Sequence, residues 1–104
     1  MFEIIETSEY WRWFEALRDL KARHRIQARL TRLTLGNLGD FESVGGGVFE
    51  LRIDCGPGYR VYFVRQGGVA ILLLAGGDKS TQARDIARAK RLAGELREGH
   101  TWED

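Results

Sequence analysis

Arg52 and Arg60 stand on the two arms of a predicted hairpin, and their spacing places two guanidinium groups on one face of a sheet. Apolar residues alternate with polar ones on both arms, and residues 55–58 (CGPG) form the turn. If the apolar residues share one core, both arginines lie on the opposite face with Tyr62. One register pairs Arg52 with Arg60. The other shifts the pairing, so that Arg52 faces Tyr62 and Asp54 faces the second arginine.

Two like charges this close repel each other unless a counter-charge separates them. Glu50 and Asp54 could supply it, since surface ion pairs are common in proteins. A bound anion is the other interpretation, because the planar fork of an arginine matches the geometry of a phosphate. Both interpretations stay open at this point, and the anion site is the favoured one.

Lys79 is a third candidate for anion binding. It follows a continuously apolar strand, residues 69–75, and directly precedes a predicted helix, whose N-terminal N–H groups favour anions. Residues 76–81 (GGDKST) superficially resemble a phosphate-binding loop, but Leu73 and Asp78 occupy positions where that motif needs glycine. An NTPase is therefore excluded, and spacing alone leaves open whether Lys79 reaches the arginine pair.

A second basic feature lies on a predicted helix, residues 21–35. Four basic residues at i, i+4, i+8 and i+11 form a stripe beside the apolar positions. They are Lys21, Arg25, Arg29 and Arg32. The stripe is either a solvated helix face or a surface for phosphates or an acidic protein segment.

The elements that must position these residues follow from periodicity. Ser8 is predicted as the N-cap of a first amphipathic helix that carries an aromatic stripe. The predicted order is strand 2–5, this helix, helix 21–35, strands 41–44, 48–54, 59–65 and 69–75, and helix 80–96. This order predicts an α+β domain with an antiparallel meander.

Composition limits the classes of protein that the chain can represent. The chain has 104 residues, enough for one domain, and no apolar segment long enough for a membrane span. The first residues lack a secretory signal, which predicts a cytoplasmic protein. A single cysteine, Cys55, rules out an internal disulfide, and the isolated His24 and His100 predict neither a metal site nor another cofactor.

The net charge of +1 argues against a nucleic-acid partner only if the charges are evenly spread. They are not, because basic residues concentrate in the helical stripe, on the arginine face and along residues 84–91. The sequence therefore predicts a cationic working surface on a nearly neutral chain.

Three segments in series resemble the RelE/ParE toxin superfamily, in the HigB-like branch known as addiction module killer proteins. They are residues 49–53 (FELRI), 56–63 (GPGYRVYF) and 72–82 (LLLAGGDKSTQ). The resemblance implies one toxin domain over residues 1–98, followed by a short polar tail, 99–104. It also implies a RelE-like toxin fold, in which two N-terminal helices pack on a twisted, mainly antiparallel sheet with a C-terminal helix.

The same resemblance implies the toxin of a type II toxin–antitoxin module that cuts mRNA in the ribosome by attack of a ribose 2′-OH on the adjacent phosphate. Arg52 and Arg60 would bind and stabilise that phosphate, with Lys79 as a further basic group and Tyr62 as a proton-transfer partner. The stripe on the second helix would bind RNA or the ribosome. Several relatives carry a catalytic tyrosine or histidine near the end of the chain, where this sequence offers only His100 and Trp102.

The implied partners are a helix-turn-helix antitoxin, the ribosome and mRNA, with no membrane and no small-molecule cofactor. Two alternatives remain from other functional classes. One is a gyrase poison like the ParE branch, which acts on a protein and need not cut RNA. The other is an inactive, toxin-derived binding module.

Overall fold

A computed structural model describes residues 1–99. His100 and Trp102, the candidates near the end of the chain, lie outside the described residues. The elements, in chain order, are β1 (Glu3–Glu6), α1 (Ser8–Ala16), α2 (Leu20–Thr34), β2 (Phe41–Gly45), β3 (Val48–Ile53), β4 (Tyr59–Gln66), β5 (Ala70–Asp78) and α3 (Gln82–Gly99). A single 3₁₀ turn, Lys79–Thr81, joins β5 to α3.

The five strands form one mixed sheet in the order β1-β5-β4-β3-β2. The neighbours among β2, β3, β4 and β5 are antiparallel, as the predicted meander requires, whereas β1 pairs with β5 in parallel. The predicted α+β class is therefore confirmed, with a mixed rather than purely antiparallel sheet.

Helices cover both faces of the sheet. On one face, α1 and α2 contribute Tyr10, Phe14, Ile26 and Leu33 to a core with the inward residues of β3 and β4. On the other face, the small residues of α3 pack against β4 and β5. Because both faces are covered, β5 is buried along almost its whole length, as its continuous apolar run predicts.

Several local boundaries differ from the sequence-based expectation, three of them at or next to β5. Thr7, not Ser8, caps α1: its hydroxyl accepts a hydrogen bond from the amide of Tyr10 and donates one to the carbonyl of Leu73 at 2.7 Å. Thr7 is the N-cap rather than Ser8, because its hydroxyl bonds both the first turn of α1 and the backbone of β5. The last strand runs on to Asp78, and the last helix begins at Gln82 rather than at residue 80.

None of the helices within residues 1–99 is both long and apolar enough to cross a membrane.

Candidate functional site

Arg52 on β3 and Arg60 on β4 are directly paired across the hairpin. This is the first of the two registers that the alternation allows, and it places Glu50 opposite Tyr62. All four side chains lie on the face that α3 covers, because the core residues of the other face occupy the intervening positions.

A pocket of about 400 Å³ opens where β3 ends and β4 begins. Its wall includes both arginines, Lys79, and two acidic residues, with the glycine-rich turn at its rim. The lining residues are Asp40, Arg52, Ile53, Asp54, Gly56, Pro57, Gly58, Arg60 and Lys79. The structure thus brings together three of the four predicted catalytic residues, Arg52, Arg60 and Lys79.

The strand register carries Lys79 to the pocket. Arg60 pairs with Gly77 and Tyr59 pairs with Asp78, so that the residue after β5 emerges beside the start of β4. The carboxylate of Asp78 then caps the following turn by accepting a hydrogen bond from the amide of Ser80 at 2.8 Å. The side chain of Lys79 is exposed, and no ion pair is recorded for it within the described part of the chain.

Glu50 is the buried counter-charge beneath the two arginines. Its side chain is 1% exposed, and four donor groups converge on it. Oε1 accepts from Nε of Arg52 at 3.1 Å, and Oε2 accepts from the hydroxyl of Tyr62 at 3.0 Å. Oε2 also accepts from the amide of Gln82 at 2.7 Å and lies 3.9 Å from Nε of Arg60. This carboxylate is well partnered, as a buried charge must be.

The guanidinium of Arg52 is occupied by three carboxylates. Besides Glu50, it pairs with Asp40 at 3.5 Å and with Glu42, which lies on the edge strand β2. Glu50 was one of the two carboxylates proposed from the sequence. The other, Asp54, lines the pocket and forms no ion pair with any of residues 1–99.

Arg60 is the less satisfied of the two arginines. Its side chain is 13% exposed, and its buried Nε forms no hydrogen bond with any residue in 1–99. Nη1 donates to the carbonyl of Gly58 over a long 3.4 Å. A largely buried guanidinium with spare donors that lines a pocket is suited to hold an anion.

Tyr62, the predicted proton-transfer partner, lies beneath the arginines and does not line the pocket. Its side chain is completely buried, and its hydroxyl donates to Glu50. Burial, and next the negative charge of Glu50, raise the pKa of Tyr62 far above its ordinary value of 10.0. The phenol is therefore protonated at neutral pH.

The basic stripe of α2 divides into residues of different character. Arg29 is half-buried and donates to the backbone carbonyls of Arg52, Leu38 and Asp40, which ties α2 to the start of the β-meander. Arg25 is exposed and reaches the carbonyl of Asp54, a residue of the pocket wall, at 3.3 Å.

The other two members of the stripe, Lys21 and Arg32, are exposed. The stripe therefore borders the pocket through Arg25 and continues away from it as a solvent-facing surface. Burial also lowers the pKa of Arg29, in keeping with its structural position.

Two glycines that follow the predicted strand 69–75 are themselves strand residues with packing roles. A Cβ at Gly76 would overlap the indole of Trp13, and a Cβ at Gly77 would lie 2.7 Å from Cγ of the buried Asp85. The two glycines let α1 and α3 approach β5 from opposite faces. Both glycines directly follow an unbroken apolar run, and this continuity was the sequence feature that could have indicated a longer strand.

Across residues 1–99, no three His, Cys, Asp or Glu side chains come together in a way that could hold a metal ion.

Comparison with known proteins connects this chain to one family. The family model described as "Phage derived protein Gp49-like" matches residues 6–96, which include every element from α1 through most of α3. An uncharacterized protein of Haemophilus influenzae is 53% identical over 94 residues, which cover 90% of this chain and 95% of that protein.

Proposed function

The chain belongs to the Gp49-like family of phage-derived proteins, and from this premise we propose that it is the toxin of a type II toxin–antitoxin module. We further propose that the toxin is a ribosome-dependent mRNA endonuclease. The family is consistent with a toxin-like protein. The endonuclease mechanism rests on the pocket.

The observation that carries the proposal is the meeting of Arg60, Arg52 and Lys79 in one pocket. Two guanidinium groups and an ammonium group favour an anion with several oxygens, which describes a phosphodiester. Arg25 borders the same pocket, and Lys21 and Arg32 extend the positive surface along α2, where neighbouring phosphates of a strand would lie.

In the proposed reaction, a ribose 2′-oxygen forms a bond to the adjacent phosphorus and the bond from phosphorus to the 5′-oxygen breaks. The 2′-hydroxyl loses its proton, and the departing 5′-oxygen gains one. The products are a 2′,3′-cyclic phosphate and a 5′-hydroxyl. Arg60 and Lys79 stabilise the charge that develops on the phosphate oxygens, and the ribosome orders the substrate.

Tyr62 contributes to this reaction indirectly. Its raised pKa and its buried bond to Glu50 keep it from exchanging a proton with RNA in the pocket. In the proposal, Tyr62 holds the carboxylate of Glu50, which contacts both arginines.

The proposed partners are the ribosome, mRNA and a helix-turn-helix antitoxin, in the cytoplasm. An antitoxin that covers the pocket would silence the toxin, because the phosphate groups of RNA could no longer reach Arg60.

The test is primer extension on an mRNA translated in vitro with the purified protein. We expect new 5′ ends inside the coding region with the wild type and a loss of about 100-fold with Arg60→Ala. Arg65→Ala is the matched control, because Arg65 is exposed and lies on the same strand about 17 Å away. Intact mRNA and undisturbed translation with the wild type would contradict the proposal.

Two further assays, one with the purified protein and one in growing cells, distinguish the other functional classes. Trapped double-strand breaks in plasmid DNA incubated with gyrase would identify a gyrase poison. Equal, negligible growth arrest by the wild type and by Arg60→Ala would identify an inactive binding module.

A further inference from the structure

Glu50 is the point at which the two pocket arginines and helix α3 meet. We propose that Glu50 is a positioning residue: from beneath the pocket, it holds the guanidinium groups of Arg52 and Arg60 and the start of α3 in the arrangement that binds RNA phosphate. The identity of the ligand rests on the proposed function. The arrangement itself rests on the contacts of Glu50.

The carboxylate approaches each guanidinium group at its Nε atom. Nε of Arg52 is bonded to Oε1, and Nε of Arg60 lies near Oε2. Glu50 thus meets each arginine at Nε, and both arginines line the pocket. Because an arginine loses much rotamer freedom when it binds, holding its Nε in advance reduces that loss.

The third contact ties the helix to the same carboxylate. Gln82 is the first residue of α3 and follows Lys79 by three positions, with only the 3₁₀ turn between them. Its amide donates to Oε2 of Glu50 at 2.7 Å. This bond links the turn that carries Lys79 to β3, so one side chain sets the relative positions of all three cationic groups.

Charge and positioning predict opposite effects for the loss of this carboxylate. A negative charge under two arginines weakens their attraction for phosphate. Replacing Glu50 with a neutral isostere would therefore strengthen phosphate binding if only charge mattered. If Glu50 positions the arginines, the same replacement weakens binding despite the gain in positive charge.

The experiment compares Glu50→Gln with the wild type in binding to a single-stranded RNA that carries 2′-O-methyl groups and cannot be cleaved. We expect the dissociation constant, measured by fluorescence anisotropy, to rise about tenfold. Glu15→Gln is the control for the loss of one negative charge: Glu15 lies on α1 and pairs with Arg23, which is not part of the basic stripe, so its RNA affinity stays at the wild-type value. Equal or tighter binding by Glu50→Gln would overturn the proposal.

A milder variant covers the case in which Glu50→Gln does not fold. Gln82→Ala keeps the buried charge and removes only the bond from α3, and Gln82 is only half-buried. We expect its dissociation constant to rise about threefold. Wild-type affinity in folded Gln82→Ala would refute the link between Glu50 and the turn of Lys79.

An NMR measurement on the free protein separates failure of the positioning role from failure of the proposed function. In the wild type, the Nε–H of Arg52, which donates to Glu50, should exchange with water more slowly than that of the exposed Arg65, and Glu50→Gln should abolish the difference. Slow exchange without any binding of RNA would refute the RNA target alone. Wild-type exchange as fast as that of Arg65 would refute the positioning role.

Discussion

Arg52 and Arg60 lie directly opposite each other on β3 and β4, yet their guanidinium groups have unequal surroundings. Within the described part of the chain, Arg52 is paired with three carboxylates, whereas Arg60 has one ion pair at 3.9 Å and an Nε without a hydrogen bond. An arginine whose donors are already used has less to offer a ligand. The two arginines are paired in the sheet, but we expect them to differ in how readily they bind an anion.

This inequality predicts different effects of the two alanine variants. Arg60→Ala should lower the rate of mRNA cleavage about 100-fold, and Arg52→Ala only about tenfold, because a phosphate must displace carboxylates to use Arg52. Cleavage rates come from timed primer extension at saturating ribosomes. Arg60→Lys should remain impaired, since a lysine lacks the planar fork. A larger loss with Arg52→Ala would contradict the assignment.

The basic stripe of α2 predicts a second separation, between stability and binding. Arg29→Ala should lower the free energy of unfolding by about 2 kcal/mol, because it removes the hydrogen bonds that tie α2 to β3 and the loop before β2. Arg32→Ala should leave stability within about 0.5 kcal/mol, because its side chain is exposed. Urea unfolding measures both values.

Arg32, which is exposed, should affect RNA binding rather than stability. Arg32→Ala should reduce the slope of log affinity against log salt by about one, as expected for the loss of one phosphate contact. An unchanged slope in Arg32→Ala, with the wild type showing salt-dependent binding, would show that the exposed part of the stripe is a solvated face.

The cap of the 3₁₀ turn predicts a dependence of stability on pH. The hydroxyl of Ser80 is the main cause that holds the pKa of Asp78 below its ordinary value of 3.8. A carboxyl group with a depressed folded-state pKa stabilises the fold above its unfolded pKa, and this contribution is lost as pH falls through the folded pKa. Asp78→Asn should therefore lose less stability than the wild type between pH 5 and pH 2.5.

Urea unfolding at the two pH values gives the comparison. Glu95→Gln is a suitable control, because the carboxylate of Glu95 is exposed and pairs with the exposed Arg91. An equal loss of stability in the wild type and in Asp78→Asn would show that the cap carries no acid sensitivity.

The sheet could be predicted from the sequence because its central strands obey simple periodicity. The alternation on the two arms around residues 55–58 defines β3 and β4, and the apolar run defines β5. The parallel pairing of β1 with β5 could not be predicted, because four residues of mixed character carry no information about their partner. The position of α3 on the second face likewise depends on tertiary packing.

The candidate site was only partly predictable, and for a similar reason. Arg52 and Arg60 are fixed by register, and their need for a counter-charge follows from repulsion. Arg52 also pairs with Asp40 and Glu42. These pairs depend on the path of the chain between α2 and β2, and that segment has no periodic pattern from which its path could be predicted. The burial of Tyr62 likewise depends on α3, whose position on the second face the sequence did not reveal.

The close approach of α1 to β5 leads to the last prediction, on Gly76. The indole of Trp13 lies against this glycine and contacts the rings of Tyr10 and Tyr59, at centroid distances of 5.7 Å and 6.3 Å. A methyl group at Gly76 would displace the indole from this cluster, which a close-packed core resists. Gly76→Ala should therefore lower the free energy of unfolding by about 2 kcal/mol.

Gly94 provides the matched control, because it lies inside α3 and a methyl group added there would meet no atom within 4 Å among its neighbours. Gly94→Ala should raise the free energy of unfolding by about 0.5–1 kcal/mol, since alanine restricts the unfolded chain and favours the helix. Urea unfolding followed by tryptophan fluorescence measures both changes. Equal stability of the two variants would mean that Trp13 yields to the methyl group, so that β5 does not require glycine at this position.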